Sequence, residues 1–306
     1  MPRRGPSAAL TLHEALSEED LALRKTLELL ADLSLVISKG IPSRLGAHGG
    51  LNIYGEKQKK LDVWANDLII TKLLKSGLVR QVGSEELDEP RSGKHGEFTA
   101  TIDPIDGSSN VDTNNPLGTI VGLYREPLPA RGRDLVCSMY FMYGPYVALI
   151  LALPSGVRSF VAVGTGKASS HFISNGGIVH LPEKAEVYGV GGLKSKWMPR
   201  VKQFVETMEL RGMKLRYCGS FTGDVNQVIH YGGFFAYPEL TDAPNGKLRL
   251  QFESNPVAFI IEKAGGLAST GHTRILDLEP TAISQRVPTY LGNTDLVTEF
   301  ETLMKS

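Results

Sequence analysis

Residues 98–110 read Phe-Thr-Ala-Thr-Ile-Asp-Pro-Ile-Asp-Gly-Ser-Ser-Asn and join a predicted strand to an acidic turn. The strand, Phe98–Ile102, ends at two carboxylates three positions apart, and clustered oxygen ligands are what a hard divalent cation requires. Gly107 lets the backbone approach a phosphate closely, and Ser108 and Ser109 add N–H and hydroxyl donors. The segment therefore predicts metal-assisted chemistry on a phosphate ester.

Further carboxylates extend this acidic set. Asp103 and Asp106 are candidates for sharing one metal ion, with the Ile105 carbonyl as a third oxygen. Glu85-Glu86 follows another predicted strand end, where adjacent side chains point in opposite directions, so that one can bind metal while the other faces a water. Asp62 lies at the start of a predicted helix. Because crowded carboxylates repel one another unless cations neutralise them, this set favours a metal site.

Simpler interpretations exist for each part of the set. The acidic residues 85–89 are consistent with a solvated loop. The Asp-Pro-x-Asp-Gly sequence is also a common turn. Neither alternative accounts for all the carboxylates together, and the metal site remains the preferred prediction.

A second segment, residues 247–253, reads Lys-Leu-Arg-Leu-Gln-Phe-Glu and alternates polar and apolar residues. As one unbroken strand it sends its polar residues to one face, within about 20 Å of each other by strand rise. We assign Lys247 to a phosphate and Glu253 to the metal cluster, with Arg249 as a further substrate-binding candidate. An ordinary half-exposed strand is the alternative.

A third segment, residues 216–220, reads Arg-Tyr-Cys-Gly-Ser. It could present the Arg216 guanidinium and backbone donors to a second phosphate. A strand-to-helix turn with a surface arginine fits these residues equally well. The seven histidines show no metal-binding spacing, and none is assigned to catalysis.

Hydrophobic periodicity predicts two parts of the chain. The first part begins with a helix that is capped by Ser17 and ends at Gly40. A loop over 41–57 and a second helix, which ends at Gly77, follow it. A mostly antiparallel sheet of five strands completes this part. The predicted strands are Phe98–Ile102, Leu117–Tyr124, Leu135–Tyr143, Tyr146–Leu153 and Arg158–Val163. Strands and helices alternate after residue 181, which indicates a second α/β layer. We therefore expect a catalytic unit, 1–180, and a substrate-binding unit, 181–306.

The composition excludes several classes of protein. Lys plus Arg and Asp plus Glu both number 33, so no global field draws the chain to nucleic acid or membrane. Cys137 and Cys218 read as buried thiols of a reducing compartment. The basic N-terminus has no apolar core of a signal peptide, which predicts a cytoplasmic protein and leaves a removed organelle transit peptide open.

The sequence resembles class I fructose-1,6-bisphosphatases from about Leu27 to its C-terminus. The resemblance is carried by several segments in order, namely 58–63 (Gln-Lys-Lys-Leu-Asp-Val), 84–86 (Ser-Glu-Glu), 103–110, 231–238, 244–249 (Pro-Asn-Gly-Lys-Leu-Arg) with Glu253, and 262–266. It implies an α/β (α+β) protein with an α/β/α/β/α layered fold, and a homotetramer, with a homodimer as the alternative. It also implies removal of the 1-phosphate of a sugar bisphosphate with Mg²⁺, for which Mn²⁺ is a possible substitute.

The same resemblance implies roles for individual residues. The metal ligands would be Glu85, Asp103, the Ile105 carbonyl, Asp106 and Glu253. Glu86, helped by Asp62, would activate the attacking water. Gly107 and Ser108 would hold the 1-phosphate, Lys247 would reach the sugar, Tyr217 and Tyr237 would reach the distal phosphate, and Arg216 would reach into the site of a neighbouring subunit. Asp106, Ser109 and Arg249 are further substrate-binding candidates.

Two departures from the family pattern concern substrate and regulation. Residues 191–194 read Gly-Gly-Leu-Lys where fructose bisphosphatases usually have Asn-Glu-Gly-Tyr, which resembles sedoheptulose-1,7-bisphosphatase. Two glycines would give a roomier pocket, and Lys194 would replace the phosphate contact of the tyrosine. The Lys-Tyr pair of the animal AMP site is replaced by Glu97 and Phe98, with Arg125 retained, so we expect AMP inhibition to be weak or absent.

Overall fold

The computed structural model describes residues 9–51, 57–164 and 172–306. In these ranges the α-helices are α1 (Leu12–Ala15), α2 (Leu21–Gly40), α3 (Lys60–Ser76), α4 (Pro199–Leu210), α5 (Phe221–Tyr231), α6 (Asn255–Lys263) and α7 (Thr294–Lys305). Short 3₁₀ turns occupy Ile41–Ser43, Ser108–Thr113, Gly132–Asp134, Lys194–Lys196 and Ile275–Asp277, and a π-helical turn occupies Leu250–Ser254.

The strands form two large sheets. The first sheet contains β3 (Val79–Ser84), β4 (Arg91–Ser92), β5 (Phe98–Asp106), β6 (Leu117–Tyr124), β7 (Leu135–Tyr143), β8 (Val147–Leu153), β9 (Gly156–Ala162) and β10 (Phe172–Val179), after a small pair, β1 (Ala47–Leu51) and β2 (Lys57–Lys59). Its strand order is β10-β9-β8-β7-β6-β5-β3-β4, and among its described pairs only β3 and β5 run parallel. The mostly antiparallel sheet is therefore confirmed.

The second sheet has the order β12-β11-β13-β17-β15. Its strands are β11 (Val187–Val190), β12 (Lys214–Leu215), β13 (Gly233–Tyr237), β15 (Leu267–Ser269) and β17 (Thr289–Gly292), and a separate pair joins β14 (Leu248–Arg249) to β16 (Arg286–Val287). Parallel pairs β11–β12 and β11–β13 adjoin antiparallel pairs with β17. This is the alternating α/β part that the sequence predicts after residue 181.

Helices pack in three layers around these sheets. α2 and α3 cover one face of the first sheet, α5 and α6 lie between the two sheets, and α4 and α7 cover the far face of the second. Each helix layer buries its apolar side chains against a sheet, which is the main favourable free-energy term of the fold. The predicted α/β/α/β/α arrangement is confirmed, whereas the division into units 1–180 and 181–306 stays a prediction.

Local signals explain where the N-terminal helices begin and end. Asp20, rather than Ser17, caps α2, because its carboxylate accepts the Leu23 N–H at 3.2 Å. The predicted Ser17 cap is wrong because the Ser17 N–H closes the turn that follows α1, on the Glu14 carbonyl. α3 ends as predicted at Gly77, whose φ of 72° suits a residue without a Cβ atom.

The predicted loop over residues 41–57 is only partly correct. The chain forms the 3₁₀ turn and then β1, which pairs antiparallel with β2. Residues 52–56, within the same prediction, lie outside the described residues. Throughout the described part of the chain, every helix is too short or too polar to span a bilayer.

Candidate active site

A cavity of about 230 Å³ opens beside the C-terminal end of β5, between the first sheet and α5. Its lining contains most of the sequence-predicted site residues, together with three that were not predicted. The lining residues are Glu85, Glu86, Asp103, Ile105, Asp106, Gly107, Ser108, Ser109, Gly219, Phe221, Tyr237, Lys247, Leu248, Arg249 and Glu253. Asp62, Lys194, Arg216 and Tyr217 are not among them.

Three carboxylates converge at one side of this cavity. Glu85, Asp103 and Glu253 each offer an oxygen atom, and these atoms lie within 4.8 Å of one another. Asp103 and Glu253 are buried, and Glu85 is partly exposed. Because β3 and β5 are neighbouring parallel strands, the Glu85 N–H bonds the Ile102 carbonyl and brings its side chain beside Asp103.

Burial and mutual repulsion make this carboxylate cluster costly to ionise. Burial raises the pKa of Asp103 well above its ordinary value, and the charge of Glu85 raises it further. The pKa of Glu253 is raised in the same way, first by burial and then by Glu85. A divalent cation would supply the missing positive charge, and a donor set made of oxygen atoms alone suits Mg²⁺ or Mn²⁺. The residues present therefore fit a hard metal ion.

Glu253 reaches the cluster through a π-helical turn, and the predicted unbroken strand over residues 247–253 is wrong. The strand ends at Arg249, and residues 250–254 form a π turn in which every residue is buried. The turn brings Glu253 Oε2 to 2.7 Å from the Arg249 N–H, far closer than an extended chain allows. Such π turns often occur at functional sites.

Arg249 is a buried cation beside the cluster. Its side chain is 2% exposed, and Nη1 lies 2.7 Å from Glu85 Oε1. The guanidinium therefore offsets part of the negative charge of the cluster, and it lowers the pKa of Glu253 against the larger effect of burial.

Hydrogen bonds tie the Glu86 backbone to α3, the helix that also carries Asp62. The Glu86 N–H donates to Ser84 Oγ at 3.2 Å, and Ser84 Oγ donates to Asn66 Oδ1 at 2.7 Å. Asn66 and Asp62 lie one turn apart on α3. Asp62 Oδ2 accepts the Lys59 N–H at 2.9 Å, and its buried Oδ1 has no hydrogen-bond partner in the described structure. Burial raises the pKa of Asp62 to about 6.

Asp106 lies at the N-terminus of α5, a contact that the sequence did not predict. Oδ2 accepts hydrogen bonds from Ser220 Oγ, the Thr222 N–H and Thr222 Oγ1, each at 2.7 Å. Oδ1 accepts the Phe221 N–H at 2.9 Å. The helix N-terminus, which is rich in N–H donors, thus holds a carboxylate from the first sheet.

The turn after Asp106 packs tightly on the same region. Gly107 has a φ of 73°, and a Cβ atom there would lie 2.7 Å from Ser220 Cβ. Asn110 Nδ2 donates to the Cys218 carbonyl at 2.9 Å and to the Pro116 carbonyl at 3.0 Å. The glycine-serine turn is therefore anchored to the loop that precedes α5.

That loop does not offer the backbone donors that the sequence predicted for a second phosphate. The Cys218 and Gly219 N–H groups donate to the Asp224 carboxylate, at 2.7 and 3.3 Å. Asp224 is buried in the first turn of α5, where it satisfies these groups internally. The predicted burial of both thiols holds for Cys137, whereas Cys218 is only partly buried.

Tyr237 lines the cavity and contacts Tyr217, which lies outside the lining. Tyr217 Oη and Tyr237 Oη lie 3.1 Å apart, and Lys247 Nζ lies 5.5 Å from the centre of the Tyr237 ring. A Cβ atom on Gly191 would lie 2.2 Å from that ring. The extra room expected at Gly191 is therefore filled by Tyr237, and Lys194 is exposed.

Sequence reasoning missed the hydroxyls of Ser220 and Thr222. Ser220 caps α5, since its Oγ accepts the Gly223 N–H. A serine before an apolar helical stripe was a usable signal for that cap. No local pattern, however, pairs it with a carboxylate 114 positions earlier.

Comparisons with known proteins agree with this architecture. Residues 15–169 match the family model "Fructose-1-6-bisphosphatase, N-terminal domain", and residues 181–305 match "Fructose-1-6-bisphosphatase, C-terminal domain". The chain is 39% identical over 272 residues to fructose-1,6-bisphosphatase class 1 of Halobacterium salinarum. The alignment covers 88% of this chain and 93% of that protein. The corresponding protein of Geobacter sulfurreducens is 41% identical over 263 residues, covering 84% and 83%.

A solved structure is similar along almost the whole chain. The holo form of Leishmania major fructose-1,6-bisphosphatase superposes with a TM-score of 0.89 at 31% identity, covering 97% of this chain and 100% of that one. The layered fold, the acidic cavity and these relatives together define a phosphoric monoester hydrolase. The chain belongs to the class 1 fructose-1,6-bisphosphatase family.

Proposed function

We propose that this chain hydrolyses the 1-phosphate of fructose 1,6-bisphosphate in a Mg²⁺-dependent reaction that gives fructose 6-phosphate and phosphate. The observation that carries the proposal is the convergence of Glu85, Asp103 and Glu253 within 4.8 Å, in the cavity that Gly107–Ser109 also line. Candidate metal ligands and candidate phosphate donors therefore line the same cavity, an arrangement that would serve phosphoryl transfer.

The metal would be held by Glu85, Asp103, the Ile105 carbonyl, Asp106 and Glu253, with Mn²⁺ as an alternative to Mg²⁺. When bound, such an ion polarises the phosphoryl group and lowers the pKa of a water. All five residues line the cavity.

Glu86 is the proposed general base. It lines the cavity, and its backbone is held through Ser84 to the helix that carries Asp62. Glu86 would take the proton of the attacking water while Asp62 assists. A positioned base of this kind contributes about 10²–10⁴-fold to a rate.

The remaining site residues would orient the substrate. Backbone N–H groups of Gly107, Ser108 and Ser109 would donate to the 1-phosphate, since phosphates bind well to successive backbone donors. Lys247 and Arg249 would place positive charge beside the sugar and its phosphate. We assign the distal phosphate to Lys194, Tyr217, Tyr237 and, from a neighbouring subunit of a homotetramer or homodimer, Arg216.

Sedoheptulose 1,7-bisphosphate is the second candidate substrate. It is favoured by Lys194, an exposed cation two positions after Gly192, which would contact the distal phosphate. Against it, the space beside Gly191 is occupied by the Tyr237 ring.

Phosphate release from the two sugar bisphosphates, compared by kcat/KM in the presence of Mg²⁺, tests the proposal. We expect turnover of fructose 1,6-bisphosphate with the higher kcat/KM. A higher kcat/KM for the seven-carbon substrate would make it the principal substrate. Release from neither sugar would overturn the proposed function.

A further inference from the structure

The contact between Asp106 and α5 joins the two halves of the fold at the active site. Asp106 belongs to β5 of the first sheet, and its four hydrogen-bond donors come from the first residues of α5, about 115 positions later in the chain. Asp106, Ser220 and Thr222 are all buried. The contact is therefore a largely buried junction between β5 and the start of α5.

Two glycines, one in β6 and one in the turn after β5, leave room for the side chains of this junction. A Cβ atom on Gly118 of β6 would lie 2.2 Å from Thr222 Oγ1. A Cβ atom on Gly107 would lie 2.9 Å from Ser220 Cα and 2.7 Å from its Cβ. The Thr222 and Ser220 side chains thus occupy space that any larger residue at position 118 or 107 would fill.

The donors are divided unequally between the two oxygens of Asp106. Oδ2 accepts three hydrogen bonds, whereas Oδ1 accepts one, from Phe221. A carboxylate offers about four lone-pair sites, two on each oxygen. Oδ2 is therefore saturated by the protein, and Oδ1 retains capacity for one more ligand.

We propose that Ser220 and Thr222 are positioning residues for the metal site, because their hydroxyls hold Asp106 Oδ2 and thereby orient Oδ1 toward the cavity. This inference rests on the proposed function, in which Asp106 is a metal ligand. Hydrogen-bond partners of a ligating carboxylate restrict its orientation, and their loss typically costs about 10–100-fold in metal affinity or activity. The N-terminus of α5 thereby couples the substrate-binding half to the metal.

The decisive variant is Thr222→Val, which removes one donor to Oδ2 and retains the branched shape and the backbone N–H. Thr222→Ser restores the hydroxyl. The matched control is Thr26→Val, because Thr26 is equally buried but donates only to the Ala22 carbonyl of α2. Ser220→Gly is a second test that removes the other hydroxyl, since glycine replaces a helix cap at a cost of only a few tenths of a kcal/mol.

Metal affinity is measured directly on chelator-treated full-length protein, by the electron paramagnetic resonance signal of free Mn²⁺ during titration. We expect Thr222→Val and Ser220→Gly to weaken Mn²⁺ binding by about tenfold. Thr222→Ser and Thr26→Val should bind Mn²⁺ as the wild type does. The Mg²⁺ concentration for half-maximal phosphate release should rise in parallel, with kcat at saturating Mg²⁺ largely retained.

Unchanged Mn²⁺ affinity in both hydroxyl-lacking variants would overturn this inference and leave the proposed function intact. Failure of both variants to fold, with Thr26→Val folded, would also overturn it, since the junction would then be structural only. A wild-type protein that neither binds Mn²⁺ nor releases phosphate would instead overturn the proposed function.

Discussion

At the scale of single residues, Glu86 and its neighbour Glu85 have different surroundings despite their adjacency. Glu85 pairs with Arg249 and joins the carboxylate cluster, whereas Glu86 lines the cavity outside that cluster. The extended conformation expected for this pair is wrong: β3 ends at Ser84, and the Leu87 N–H donates to the Ser84 carbonyl at 3.1 Å, so Glu85 and Glu86 occupy a turn that gives them different surroundings.

Glu86→Gln tests the role of the general base. Glutamine keeps the shape of the side chain but cannot accept a proton, so we expect kcat to fall by at least about a hundredfold with KM nearly unchanged. The exposed Glu89, three positions later in the chain, supplies the control: Glu89→Gln should leave both constants unaffected. Near-normal turnover of Glu86→Gln would remove Glu86 from this role.

Asp62→Asn tests the consequence of burying a carboxylate. Burial raises the pKa of Asp62 from 3.8 to about 6, so the folded protein retains a proton that the unfolded chain has lost between these values. The free energy of unfolding of metal-free protein therefore falls as pH rises through this window. Asp62→Asn should make that fall shallower, by at most about 3 kcal/mol.

Urea unfolding in chelator at several pH values measures this effect. Asp67→Asn, at an exposed position of the same helix, is the control and should retain the wild-type slope. Equal pH dependence in Asp62→Asn and wild type would show that Asp62 ionises in the folded protein as it does in the unfolded chain.

At the scale of elements, the turn from β5 to the 3₁₀ helix is constrained by both backbone angle and space. Gly107 and Gly212 have similar φ values, 73° and 76°. Only Gly107 has near neighbours, because a Cβ atom on Gly212 would meet nothing within 4 Å. A comparison of substitutions at these two glycines therefore distinguishes the cost of backbone strain from the cost of lost packing space.

Gly107→Ala should therefore cost more stability than Gly212→Ala. Both variants pay about 1–2 kcal/mol for a left-handed backbone, and Gly107→Ala also displaces Ser220. Denaturant unfolding gives the stabilities, and phosphate release should fall in Gly107→Ala alone. Equal losses of stability in the two variants would contradict the tight packing of this turn.

The start of β5 gives a physical reason for the expected absence of AMP inhibition. Arg125 forms an ion pair with Glu97, and its guanidinium carbon lies 5.2 Å from the centre of the Phe98 ring. The cation retained from the animal AMP site is thus paired with an acidic residue of the same chain. Phosphate release measured during an AMP titration should stay nearly constant, and micromolar inhibition would contradict this prediction.

At the scale of the whole molecule, we expect the carboxylate cluster to make stability depend on a bound metal ion. Glu85 and the buried Asp103 and Glu253 repel one another, and a bound cation removes that repulsion in the folded state only. A ligand that binds only the folded state raises the unfolding free energy, by about 2.7 kcal/mol at a hundred times its Kd.

Chelation by EDTA should therefore abolish phosphate release and lower Tm, and added Mg²⁺ should restore both. Calorimetry with increasing Mg²⁺ measures the shift, with Na⁺ at equal ionic strength as the control. Full activity in excess chelator, or a Tm independent of Mg²⁺, would contradict a metal site at this cluster.

Much of the element order could be predicted because its signals are local. The apolar stripe of α3 and its terminal Gly77, for example, depend on residues within a few positions of one another. The predicted N-cap of α2 was wrong by three positions. Ser17 and Asp20 are both residues that favour helix caps, and the turn after α1 decides between them.

The conformation around Glu253 could not be predicted in the same way. Alternating polarity over residues 247–253 is typical of a half-exposed strand, yet residues 248–254 are all buried. The hydrogen bond from the Arg249 N–H to Glu253 and the pairing of β14 with β16 stabilise the π turn, and both depend on the folded surroundings.

From the sequence by itself, the carboxylates, glycine and serines of residues 98–110, together with the rest of the acidic set, predicted a site for metal and phosphate chemistry. Only the tertiary structure decided which of those carboxylates form the cluster and which contact α5 instead. It grouped Glu85 and Asp103 with Glu253 and gave Asp106 its donors on α5. The physical reason is distance along the chain: strand and helix patterns arise between near neighbours, whereas burial and charge balance also depend on residues that are far apart in the chain and meet only in the folded protein.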